Sequence, residues 1–506
     1  MTTPSSDVVI IGTGHNGLVA GVLLARAGLS VTMLEAAGVM GGATRTERPF
    51  SKVPNLQHST GSYLLGLMPP ELMRTLDIDI PVLRRDPHYF LPTPGSAYLL
   101  AGSQHIDNGI YSDADRSAEA AMQAELAMLR EDLAPAWLRA PGSVEETAAE
   151  FIRPSLRSIF IDLVRGSVLD YLKRFDFESE LLLAMYAVTD GISGLNAGPD
   201  DPGTGNNFLA HNMCRLPGSD GTWMIARGGM GSVSRILADK FRSLGGQILV
   251  DAPVASLSVA GGSVDGVYLE DGRFFGARVV LGACDPFELM RIADYHFPAE
   301  LRERMQANKR TGTTMKVNLA LSGLPTFKCL PPGTPSPFGS TIHLLPGSDG
   351  VEPLARLRRM WAQVQSGQLP DEPTIEWYLH TTVDPSLQDE AGHHSSALFV
   401  QSVPYGVELG SYVDHLLAIC DSYAPGTSEL VADSFTLTPQ GIESHFGITG
   451  GHIHHMDNTI SFNNRMPYAT GLDGLYAGSA GCHPAGSVIG AAGHNAAQTI
   501  LADMAR

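Results

Sequence analysis

Residues 7–19 read Asp7-Val8-Val9-Ile10-Ile11-Gly12-Thr13-Gly14-His15-Asn16-Gly17-Leu18-Val19. Val8 to Ile11 is an apolar, β-branched run, as expected of a strand buried on both faces of a parallel sheet. Leu18, Val19, Val22, Leu23 and Leu24 then recur at helical spacing, and Gly28 stands where a helix C-terminal glycine belongs. Val31 to Leu34 reads as a second apolar strand and ends in Glu35. The turn between the first strand and the helix is G-x-G-x-x-G, and each glycine in it has a task. Gly12 permits the tight turn, Gly14 lets backbone approach a pyrophosphate, and Gly17 lets helix and strand pack closely. The helix start, with His15 and Asn16, offers free N–H groups to the phosphates. Glu35 lies roughly 20 residues on, where a carboxylate accepts hydrogen bonds from a ribose diol. The same carboxylate repels a 2′-phosphate, which argues against an NADP-type ligand. With 55 glycines in 506 residues the motif alone is weak; strand, helix and acid together make it a dinucleotide site.

Bulk properties narrow the remaining classes. Hydrophobic residues are 43% and charged residues 17%, an ordinary globular composition. The length suits about two or three domains' worth of core. A net charge of −19 argues against nucleic acid and against charge-driven docking on anionic lipid. It leaves peripheral contact of an apolar patch with a membrane open. Cys214, Cys284, Cys329, Cys420 and Cys482 are odd in number, far apart and without a C-x-x-C, so they read as reduced thiols. Met1 to Ser6 is short and polar, unlike a signal peptide, and no stretch approaches a membrane span. The expectation is a soluble, cytoplasmic protein. Nothing in the sequence fixes its oligomeric state.

Further along, Gly41-Gly42-Ala43 follows the ribose acid closely and reads as a loop pressed against the ligand. Gln57 to Leu65 is polar and then apolar, as a cavity lining would be. Residues 76–100 read as short strands and turns. From about 113 to 190 the pattern is helical, with capping boxes at Ser112/Asp115 and Ser143/Glu146. Two apolar stripes run there: Met122, Leu126, Leu129 and Leu133, and Ile159, Leu163, Leu169 and Leu172. Both read as core, and a catalytic role for this block is not expected. Gly191 to Gly221, rich in Gly, Asn, Pro and Asp, reads as a long loop. Gly228 to Gly231 opens a helix ending at Gly245-Gly246. Gln247–Val250, Val254–Val259, Val264–Glu270 and Arg278–Gly282 follow as strands. Beyond them Lys316–Leu321 and Ala397–Val403 read as strands, and Val351–Gln365 and Tyr412–Ser422 as helices. The tail is a strand at Leu475–Ala477, a Gly-rich turn with His483-Pro484, and a small-residue helix from Ser487 to Met504.

Taken together, these blocks resemble the phytoene-desaturase-like FAD-dependent oxidoreductases within the amine-oxidase class. The nearest likeness is to the branch of pyridine-nucleotide-disulfide-oxidoreductase-domain proteins. It rests on Gly12 to Gly17, Leu34-Glu35, Gly41-Gly42-Ala43, Ser62 to Leu65, Gly228 to Gly231, Phe446 to Gly451, and His483-Pro484 before Gly490 to Gly493. The resemblance implies an α/β fold: a discontinuous Rossmann-type FAD-binding domain with a mixed α+β substrate domain. Residues 1–70, 215–290 and 455–506 would form the first, and 71–214 and 291–454 the second. Gly12, Gly14 and Gly17 would hold the pyrophosphate and Glu35 the adenosine ribose, with Val254 at the adenine. Gly478, Ser479, Ser487, Val488 and Ile489 would lie along the ribityl chain and flavin. Two departures stand out: many relatives have arginine where Ala43 stands, and amine oxidases often have an acid near Ser479.

Only one complete dinucleotide fingerprint is present, so NAD(P)H is not expected as a second cofactor. The leading expectation is an enzyme that dehydrogenates or desaturates an organic small molecule with a sizeable apolar portion. Hydride passes to flavin, and oxygen, a quinone or another acceptor reoxidises it. The alternatives are an amine or amino-acid oxidase on the same scaffold, and a flavin-dependent isomerase or redox-silent carrier. No catalytic triad is visible, as a flavin site allows. Among 17 histidines, His455, His58 and His483 are the acid–base candidates. If Gly451 to His455 were a strand, His452 and His454 would share a face; no third ligand stands nearby, and no metal is expected.

Overall fold

A computed structural model describes residues 5–506, apart from the side chain of Tyr295. Of the N-terminal stretch Met1 to Ser6, Met1 to Pro4 lie outside the described residues. The opening motif folds as read, into strand β1 (Ser5–Ile11), helix α1 (His15–Arg26) and strand β2 (Val31–Leu34). Val8, Val9 and Ile10 are at most 1% exposed. Burial of each such side chain stabilises the fold by about 1.5–3 kcal/mol.

Around β1 grows a seven-stranded sheet assembled from distant parts of the chain. β1 pairs in parallel with β2 on one side and with Phe274–Gly282 on the other, and β2 pairs in parallel with Gln247–Leu249. The outer edge of Phe274–Gly282 is shared. Its first residues pair antiparallel with Ser263–Leu269, and Val280 to Gly282 pair in parallel with Leu475–Ala477. The closing helix, Ala491–Met504, packs against α1. A Cβ at Gly493 would overlap the Asn16 carbonyl, so only glycine permits that approach.

A second sheet has eight strands, in the order Val431–Leu437, Met315–Leu321, His394–Val400, Ile375–Leu379, Thr341–Leu344, Tyr89–Pro92, Tyr98–Ala101, Ile106–Asn108. All neighbours run antiparallel except Thr341–Leu344 beside Tyr89–Pro92. The helical block stands against it. Its first helix, Asp113–Trp137, and Val144–Phe151 begin with the two capping boxes expected. The four-residue stripe from Met122 to Leu133 is fully buried.

The structure departs from the sequence reading in three places. The stripe from Ile159 to Leu172 is split between two helices, Arg157–Arg165 and Val168–Leu172, because Ser167 caps the second. The supposed loop Gly191 to Gly221 contains a buried helix, Thr204–His211. Its asparagines look like loop residues, yet Asn207 Nδ2 donates to the carbonyls of Asp190, Gly191 and Ser193. Such satisfied polar groups are tolerated inside. Finally, Gly451 to His455 is not a strand. A 3₁₀ turn, Thr449–Gly451, precedes it, and His455 adopts a left-handed conformation with φ 61°.

Candidate active site

A cavity of about 580 Å³ opens at the C-terminal ends of β1, β2 and Phe274–Gly282, and reaches the face of the second sheet. Ligands of open parallel sheets sit in such a crevice. At its outer end the three glycines do different things. Gly12 has φ 96°, a left-handed turn. A Cβ at Gly17 would lie 2.6 Å from Gly12 O and 2.9 Å from the Ala283 side chain, so α1 rests directly on the sheet. At Gly14 a Cβ would meet no protein atom within 4 Å. Packing does not demand glycine there; its absence of side chain leaves room on the cavity wall. The first amide bonded within α1 is that of Leu18, to Gly14 O at 3.0 Å. The amides before it point their partial positive charge at the same space.

Glu35 is held from two sides. Thr13 N–H and Oγ1–H donate to Oε2 at 2.9 and 2.6 Å, and Ala37 N–H donates to Oε1 at 3.0 Å. An ionised carboxylate offers about four acceptor positions, so capacity for a diol remains. Ala252 N–H donates to Glu35 O at 2.8 Å, which brings Pro253 and Val254 alongside. Gly42, Ala43 and Thr44 form another part of the wall, tied in by a backbone bridge between Gly14 and Gly41. Ser487 and Val488 enter from the closing segment. His455 also lines the cavity; its Nδ1 is buried without a hydrogen-bond partner, and burial pushes its imidazole down to about 3. Room at Gly14, free helix amides, a fixed carboxylate and an unpaired imidazole nitrogen fit a bound dinucleotide.

The inner end is built by register. On neighbouring strands Lys316 pairs with Phe399, and Phe399 with Glu376, so all three share one face. All three line the cavity, with Tyr63, Arg85, Tyr89, Trp223 and Tyr378. Lys316 Nζ lies 4.1 Å from the Tyr63 ring centroid and 4.4 Å from that of Phe399. Tyr378 donates its hydroxyl to Glu376 Oε2 at 2.6 Å. Burial pushes the Lys316 ammonium down to about 7 and the Glu376 carboxyl up to about 7. Across the cavity the helical block contributes Thr189, Ser193 and His211. Behind them, burial and then the nearby Glu376 push the buried Asp190 carboxyl up to about 8.

Several sequence-read residues fall elsewhere. His58 is fully buried behind the wall, its Nδ1 2.6 Å from Ser395 Oγ and its Nε2 2.7 Å from Asn318 Oδ1. Asn318 Oδ1 also accepts the Tyr63 hydroxyl at 2.8 Å, so His58 helps set Tyr63 and does not face the cavity. His483 points away too, with Nε2 3.3 Å from Ala136 O. Of the three catalytic candidates only His455 is on the wall. Gly478, Ser479 and Ile489 do not line it either. Gly478 is pinned between Leu281 and Ala496, Ser479 Oγ accepts from Gly481 N–H, and Ile489 packs into the helical core. His452 and His454 turn to separate partners: His452 Nε2 lies 3.1 Å from Asp457 Oδ2, and His454 Nε2 3.0 Å from Ser193 O. Arg85, Lys316, Glu376, Tyr378 and Phe399 were missed. A charged residue inside an otherwise apolar strand, as at Lys316 and Glu376, is the one signal that marks any of them.

A flavin-containing amine oxidoreductase profile matches residues 17–325. The chain belongs to that family. It is similar over nearly all its length to pyridine nucleotide-disulfide oxidoreductase domain-containing protein 2 of Rattus norvegicus, at 30% identity, covering 99% of this chain and 94% of the relative. Hydroxyneurosporene desaturase of Cereibacter sphaeroides is 26% identical over 98% of each chain. An oxidoreductase from Methanosarcina mazei shares the fold, with a TM-score of 0.61 and 16% identity over 98% of this chain and 99% of its own. The protein is an FAD-dependent oxidoreductase with the expected α/β fold. Among the described residues no helix is long and apolar enough to cross a membrane.

Proposed function

We propose that this family member dehydrogenates or desaturates an organic small molecule with a sizeable apolar portion. The reading is supported above all by one cavity joining the dinucleotide turn at Gly12–Gly17 to an aromatic inner end at Tyr63, Tyr89, Trp223, Tyr378 and Phe399. FAD, when bound, supplies the two-electron acceptor, which oxygen, a quinone or another acceptor regenerates. The chain does the rest. The amides of α1 and Glu35 hold the coenzyme, with Val254, Ser487 and Val488 beside it. The rings seat the apolar part of the substrate and exclude water. His455, uncharged at neutral pH, stands on the wall as a proton acceptor. On this reading the seven-stranded sheet with its covering helices is the FAD domain, and the eight-stranded sheet with the helical block is the substrate domain.

An anaerobic screen tests it. Alkenes, alcohols and amines are added to the holoenzyme, and bleaching of the flavin absorbance is followed. Alkene- or alcohol-type compounds should bleach it. Rapid bleaching by NADPH without substrate would refute the absence of a second nucleotide site. An amine oxidase is the second reading, favoured by Glu376, a buried carboxyl on the wall that can accept from an ammonium. Peroxide release with amines alone would select it.

A further inference from the structure

We propose that the substrate carries a carboxylate, received at the inner end by Arg85 with Lys316 as the second cation. The proposal rests on the oxidoreductase reading above and names the polar group of its substrate.

Two deeply buried arginines make the case by contrast. Arg465 is 1% exposed, and its guanidinium is saturated. Nε donates to Cys482 O, Nη1 to Asp457 O and Ile460 O, and Nη2 to Met456 O and Ala480 O, all within 3.1 Å. That is a structural arginine, and it is not on the cavity wall. Arg85 is 2% exposed and lines the cavity. Its Nε donates to Trp223 O at 3.0 Å and its Nη1 to Thr341 Oγ1 at 2.8 Å. Both acceptors are neutral. A guanidinium has five N–H donors, so three stay unspent, and no described carboxylate lies within ion-pairing distance of Arg85. Lys316 is likewise buried without an ion pair among the described residues; the Tyr63 and Phe399 rings lie against its ammonium, and the Glu376 carboxyl acts on it from further off. The acid on the same face, Glu376, accepts the Tyr378 hydroxyl on Oε2 and lies beyond ion-pairing distance of both Arg85 and Lys316.

A neutral apolar molecule packed into the inner end would leave the Arg85 fork buried without a charged partner, which is strongly unfavourable. A carboxylate meets the planar fork of Arg85 in a bidentate geometry and removes the penalty. The rings around it take the rest of an amphipathic acid.

The test uses the holoenzyme with benzoate and cinnamate against benzamide and cinnamyl alcohol, reading perturbation of the flavin spectrum as binding. The acids should bind at least tenfold tighter than the neutral analogues. Arg85→Met should erase that preference while FAD stays bound, and Arg85→Lys should keep part of it. Equal binding of acids and neutral analogues overturns the proposal. So does the absence of any acid effect at millimolar concentration, or a preference that survives in Arg85→Met. If Arg85→Met loses FAD, the wild-type acid preference together with Arg85→Lys decides the matter. Acids that perturb the flavin while no compound ever bleaches it would uphold the anion site and refute the oxidoreductase reading.

Discussion

The two ends of the cavity are made in opposite ways. The outer end is built from backbone: α1 amides, a turn with room at Gly14, and one carboxylate, Glu35, fixed by Thr13 and Ala37. Its core lies within residues 11–44, and Pro253, Val254, Ala283, Asp285, His455, Ser487 and Val488 add to the wall. The inner end is built from side chains on strands far apart in sequence, aligned by sheet register. Backbone amides do not titrate; ammonium and carboxyl groups do. The outer end, where Glu35 and Asp285 are carboxyl groups among mostly backbone donors, should therefore respond more to added bulk than to pH, and the inner end the reverse.

The largest effect expected is at Gly14. In Gly14→Val the new side chain projects into cavity space, so the chain should fold with an unchanged far-UV circular dichroism spectrum and lose FAD affinity on the order of 100-fold. Gly17→Val should instead lower the melting temperature, because its Cβ collides with the Gly12 carbonyl. If both variants lose stability equally, the outer end is a packing motif and the comparison fails.

At the junction of the two ends, His455→Ala should keep FAD bound yet slow substrate-driven flavin reduction at least about tenfold, as loss of a positioned acid–base group does. Unchanged stopped-flow reduction would reassign His455 to packing.

The smallest effect sharpens the contrast. Between pH 6 and 9 Lys316 loses its proton near 7, while Glu376 and Asp190 ionise near 7 and 8. Arg85 stays charged throughout, so the inner end passes from net positive to net negative. Benzoate affinity should fall by several-fold across that range, whereas the fraction of protein holding FAD should stay flat. A benzoate affinity that rises with pH would reverse the sign argued here.

The geometry of the outer end was legible because it is local: a strand, a turn, a helix and an acid lie within one short span. The capping boxes at Ser112 and Ser143 were legible for the same reason. The inner end was not, because Lys316, Phe399 and Glu376 become neighbours only through pairing that no local pattern encodes. His58 and His483 misled because a histidine near a motif looks the same whether it faces a cavity or a carbonyl. Thr204–His211 misled because the bonds that bury its asparagines come from tertiary structure.

Gly493 N–H reaches the Asn16 side-chain oxygen at 3.4 Å, across 477 positions of chain. In a nascent polypeptide the glycine turn is therefore made 477 residues before the helix that buttresses it. Until then the turn lacks its back support. Contacts this distant in sequence slow assembly, so truncating the last helix should yield apoprotein prone to aggregation, with its flavin never captured.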